Sequence, residues 1–218
     1  MPVPWITTSS AWRSHSGVID CKAMSRLRAP LLALSAGIVL VLASHSPSHA
    51  HGLASDGLAA GLSHPLLGLD HLLMLVAAGT AAALVCPWLL AWALGGGLVG
   101  AVLGSLGWGM PGTEALAALA ITAAAASALK LSRLPQVCGL VLAASMAIHG
   151  LLHGLEAPSS AAGLQWWGGA LISTLLVCGG SWLLLRTAAQ QTRQALALGL
   201  GATGLLLALA PVGLLSAG

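Results

Sequence analysis

Two short stretches hold nearly all the groups in this chain that can do chemistry. His64-Pro65-Leu66-Leu67-Gly68-Leu69-Asp70-His71 opens an apolar run reaching Val85, and His149-Gly150-Leu151-Leu152-His153-Gly154-Leu155-Glu156 closes another. Neutral imidazole nitrogens and carboxylates together make a ligand set for a borderline divalent metal ion. On a helix of 3.6 residues per turn, His149, His153 and Glu156 gather on one face because they are four and three residues apart. His64 and His71 share a face only if the helix is regular back to His64, and Asp70 then projects about 100° away from His71. Asp70 is expected either as a ligand from a kinked first turn or as an acceptor that orients a histidine. Glu114 opens a further apolar run. The expected metal ligands are His51, His64, Asp70, His71, Glu114, His149, His153 and Glu156, with no catalytic residue among them, and the chain is not read as an enzyme.

The elements that must position these groups follow from composition. With 57% hydrophobic and 6% charged residues and a mean hydropathy of +0.93, the chain is too apolar for a soluble domain and reads as an integral membrane protein. Beyond Ala50 four basic residues face four acidic ones, which leaves no basic patch for nucleic acid. Cys21, Cys86, Cys138 and Cys178 are scattered singly, so neither a disulfide framework nor a Cys-x-x-Cys site is suggested. Phe and Tyr are absent, and of the eight tryptophans Trp88, Trp108, Trp166 and Trp167 best suit an interfacial belt.

Residues 1–23 are polar, without periodicity, and are read as an unstructured upstream extension. From Met24 the chain has Arg26 and Arg28, a short apolar core from Leu31 to Ala43, and Ser48-His49-Ala50. Those are the three parts of a secretory signal over 24–50, and a seventh, uncleaved span is the other reading. Cleavage after Ala50 makes His51 the new N-terminus, where imidazole and free amine can chelate a metal.

Residues 51–218 then hold six apolar stretches: Pro65 to Val85, Trp88 to Leu106, Glu114 to Ala128, Val137 to Leu152, Leu164 to Leu185 and Ala195 to Leu215. None alternates with period two, which excludes a barrel. The expected fold is all-α, a polytopic bundle of six transmembrane helices after a cleavable signal. Gly96, Gly100 and Gly104 offer a face for close helix approach. A cleaved signal puts the N-terminus outside, and Lys130, Arg133, Arg186 and Arg193 then all fall in or beside inward-facing loops, in accord with the positive-inside rule.

A histidine within a membrane is often a packing residue, and a His–Glu pair can simply pin two helices together. Against that, four His, two Glu and Asp70 from three spans converge at one depth in a bundle otherwise nearly free of ionisable groups, and unpaired charges there cost several kcal/mol each. A divalent cation is the expected partner, beside the lipid bilayer, and a homo-oligomer is compatible with the sequence. The same ligands suit a permease, a membrane metalloenzyme that activates water at the outer face, or a subunit that binds metal without moving it. Met74 and Met146, each three residues from a site histidine on its deeper side, read as filler before they read as steps on a path.

The motif H-x-x-x-x-x-D-H of His64 to His71, with Pro65 and Gly68 in place, and H-G-x-x-H-G-x-E of His149 to Glu156 resemble the HupE/UreJ proteins, nickel and cobalt permeases. His51 and Glu114 match as well. The resemblance covers the chain from about Met24 and implies a permease that passes nickel(II) or cobalt(II) inward across a bacterial inner membrane, with the metal as substrate and no permanent cofactor. Two positions depart from the pattern: Ile148 stands where a Phe is expected, and Cys178 stands near where many members carry a His.

Overall fold

The computed structural model describes residues 57–159 and 163–209. The upstream residues 1–23, the signal-like segment 24–50, His51 and the end of the sixth apolar stretch lie outside the described residues. Seven helices follow in order: α1 Leu58–Leu67, α2 Leu69–Leu84, α3 Leu89–Ser105, α4 Thr113–Lys130, α5 Pro135–Glu156, α6 Gly163–Leu185 and α7 Gln190–Leu209. No strand occurs among the described residues.

The helices from α3 onward sit where the apolar stretches place them, with local chemistry at the ends. Pro135 opens α5 at the first turn, where its missing N–H costs nothing. Gly112 precedes α4 at φ 79°, a conformation that favours glycine. Four helices, α4 to α7, are long and apolar enough to cross a membrane. At 17 residues α3 is shorter, spanning about 26 Å at 1.5 Å per residue.

The first stretch differs from a regular span. It breaks at Gly68 into α1 and α2, bent by 80° to each other, and the pair is a fifth candidate crossing. Gly68 is extended, with φ −73° and ψ 111°, and its N–H closes α1 on the His64 carbonyl while its own carbonyl starts α2. A Cβ at Gly68 would stand 2.8 Å from His71 Nδ1, so a side chain here would displace the ring that follows.

Helix α2 is the hub. Ten of its sixteen residues are buried, and α1, α3, α4, α5, α6 and α7 all pack against it. Around it the closest crossings are made backbone to backbone. A Cβ at Gly96, Gly100 or Gly104 of α3 would stand 2.1, 1.9 or 2.2 Å from the carbonyl oxygens of Ala143, Ala147 and Leu151 on α5. The fit is reciprocal, since Gly150 and Gly154 of α5 meet the Gly97 and Ala101 carbonyls in the same way. The expected glycine face is thus used, and its partner is the helix that carries the second motif. Lipid tails are as apolar as the side chains, so such close packing, rather than exclusion of water, holds membrane helices together.

Polar groups bridge the remaining contacts. Thr122 Oγ1 donates to the Gly201 carbonyl at 2.9 Å, joining α4 to α7, and Arg193 Nη1 donates to the Ala83 carbonyl at the end of α2. Lys130, Arg133, Arg186 and Arg193 therefore lie at one end of the bundle, and both histidine motifs lie at the other.

Gly100→Val should prevent α3 from seating on α5, because the obstacle is a backbone carbonyl that cannot rotate away. We expect a loss of at least about 2–3 kcal/mol, read as a lower melting midpoint in detergent. Gly179→Ala, where a Cβ meets nothing within 4 Å, should stay within about 0.5 kcal/mol of the parent.

Candidate metal centre

The break at Gly68 and the close docking of α5 bring the two motifs together. His64 comes from α1, His71 from the first turn of α2, and His149, His153 and Glu156 from the last two turns of α5. The imidazoles are packed ring against ring. Centroids of His64 and His153 are 4.9 Å apart, His71 and His153 4.4 Å, His64 and His71 5.3 Å, and His71 and His149 5.6 Å. Beyond residue 51 the sequence has four histidines, and all four stand in this one cluster.

His64, His71, His153 and Glu156 each offer one ligand atom, and these four atoms lie within 4.8 Å of one another. Atoms bound to one ion at about 2.1 Å stand at most about 4.2 Å apart, so an ion need draw this set inward by only about half an ångström. His64 Nε2, His71 Nε2, His149 Nε2 and His153 Nδ1 are buried and make no hydrogen bond. His64 Nε2 and Glu156 Oε2 are 2.9 Å apart yet lack hydrogen-bond alignment, the relation of two ligands beside one another rather than of a donor and its acceptor. Leaving a buried polar atom unpaired costs about 1–3 kcal/mol, and four such atoms approach the whole margin by which a domain is folded. A cation among the His64, His71, His153 and Glu156 ligand atoms would satisfy three of these nitrogens, and His149 Nε2 stays outside that set.

Asp70 takes the orienting role. Its Oδ1 lies 2.9 Å from His71 Nδ1, so the Nδ1–H donates to the carboxylate and the Nε2 lone pair is left for a ligand. His149 Nδ1 faces the Ser145 carbonyl at 3.4 Å, which turns its Nε2 inward in the same sense. His149 stands beside the four-residue set rather than in it.

Two expectations change on this geometry. Glu114 is exposed in the first turn of α4 and is not brought into the cluster. Trp166, expected in an interfacial belt, is only 3% exposed and walls the cluster, its ring 5.2 Å from His64 and 6.1 Å from His153. The signal for this was indirect: Gly61 and Gly169 allow α1 and α6 to touch, a Cβ at Gly61 falling 1.9 Å from the Trp166 carbonyl. Trp88 and Trp108 are exposed as a belt requires. Cys178 is buried against α2 at Gly79, twelve residues or about 18 Å along α6 from Trp166, and takes no part in the cluster.

A family model described as HupE / UreJ protein matches residues 34–214. The chain is 34% identical over 146 residues to Protein HupE of Rhizobium leguminosarum bv. viciae, an alignment covering 62% of this chain and 74% of that protein. No solved structure matches.

Asp70→Asn retains size but weakens the acceptor that fixes His71. Affinity of the detergent-solubilised chain for a divalent metal ion, measured by calorimetry, should fall about 10- to 100-fold, whereas Glu114→Gln should leave it unchanged.

Proposed function

The chain belongs to the HupE/UreJ family, and on that premise we propose that it is a permease carrying nickel(II) or cobalt(II) inward across a bacterial inner membrane. The reading rests above all on one observation. Buried imidazole nitrogens from both motifs, none hydrogen-bonded, face a common centre beside a carboxylate. Nitrogen-rich sets with one carboxylate suit divalent ions late in the first transition row, and both metals fall in that class.

In this proposal the histidine end faces the periplasm and the end with Lys130, Arg133, Arg186 and Arg193 faces the cytoplasm, as the positive-inside rule asks. Glu156, about half exposed at its side chain, meets the hydrated ion first. His64 and His153 then replace water, and His71, held by Asp70, completes the set. Once dehydrated, the ion is driven by the inside-negative potential, which supplies about 4.6 kcal/mol per 100 mV for a double charge. No nucleotide motif is present in the sequence, and this driving force needs none.

Transport, rather than catalysis or static binding, is the discriminating claim. Full-length protein in liposomes under an inside-negative potential should accumulate radiolabelled nickel, and His64→Ala, His149→Ala or Glu156→Ala should reduce uptake to background. Binding that persists in the parent chain without accumulation would overturn the permease reading.

A further inference from the structure

A cavity of about 420 Å³ runs inward from the cluster between α2, α3, α5 and α6. Its walls are almost wholly aliphatic, with side chains such as Leu75 and Leu98. Three imidazoles, His71, His149 and His153, and two thioethers, Met74 and Met146, are among its lining side chains.

His149 is the most buried histidine of the group at 2% exposed, and its Nε2 has no hydrogen-bond partner. It is also the one histidine outside the four-residue set. Met74 and Met146 are 0% and 4% exposed. Helix α2 leaves the cluster as it runs forward and α5 approaches it, so Met74, three residues after His71, and Met146, three before His149, both fall on the site face about one turn deeper. Two independent helices thus each bring a thioether to the same cavity as an unpaired nitrogen.

We propose that His149, Met146 and Met74 form a second, deeper metal station that receives the ion as it leaves the outer set. The inference rests on the permease reading for its direction of travel, though not for the existence of the site. A single imidazole with two neutral thioethers is a soft and weak ligand set. Weakness is what a relay requires, because an ion must be held strongly enough to enter and loosely enough to go on. The outer set, with its carboxylate, selects and dehydrates, and the inner one passes on.

The test uses the full-length chain, loaded with cobalt(II) alone at two equivalents and examined by X-ray absorption at the metal edge. We expect sulfur among the nearest neighbours of the metal in the parent chain and its loss in Met74→Leu/Met146→Leu, a change that conserves volume and so spares the core. The same double variant should keep the affinity of the outer set while its liposome uptake falls at least about tenfold, the size of loss seen when supporting contacts of a metal site are removed. Absence of sulfur from the parent spectrum, or its persistence in the double variant, would overturn the station and leave both methionines as filler. Parent liposomes that accumulate no metal would overturn the permease reading instead, and the sulfur signal would still decide the station.

Discussion

Four ring nitrogens are buried without a hydrogen bond, and the rest of the bundle is arranged to hold them there. In water each would be solvated at no cost, and in an apolar interior each is a debt of about 1–3 kcal/mol. Packing alone does not explain why a chain with so few polar groups gathers all four of its later histidines at one point. A cation set among His64, His71, His153 and Glu156 would, since one ion satisfies several lone pairs at once.

Bringing the rings this close depends on glycine. In His149-Gly150-x-x-His153-Gly154, each glycine follows its histidine by about 100° around α5. The histidine edge faces α1 and α2, and the glycine edge lies against the α3 backbone. The same four-residue repeat thus sets two faces at once, one for ligands and one for docking. Gly61 and Gly169 serve α1 and α6 likewise, which seats Trp166 against His64 and His153.

Much of this was legible in the residues. The bounds of α3 to α6, the common face of His149, His153 and Glu156, and the use of Gly96, Gly100 and Gly104 all follow from helical periodicity, which depends on local geometry alone. The break at Gly68 was not legible. Pro65 at a helix start reads as a first-turn proline, and nothing in the residue types distinguishes a regular span from two helices at 80°. Glu114 illustrates a different gap. Sequence fixes depth along a helix, but direction around the bundle depends on which neighbours pack, and α4 turns its first carboxylate outward. Trp166 was misjudged for the same reason: position near a helix end says nothing of what covers it.

The broken helix has an electrostatic consequence that a straight span would lack. Backbone dipoles leave partial negative charge at helix C-termini and partial positive charge at N-termini. Because α1 stops at Leu67, beside the cluster, its C-terminal end faces the site, and α5 ends there too at Glu156. Two negative helix ends thus lie beside the candidate site, the arrangement by which interrupted helices bind cations within membranes. The α2 end beside it is of the opposite sign. Its first turn carries Asp70, whose carboxylate both opposes that positive end and accepts the His71 Nδ1–H hydrogen bond. A residue that was ambiguous between ligand and support in the sequence thus has two structural tasks that neither an alanine nor an asparagine performs in full.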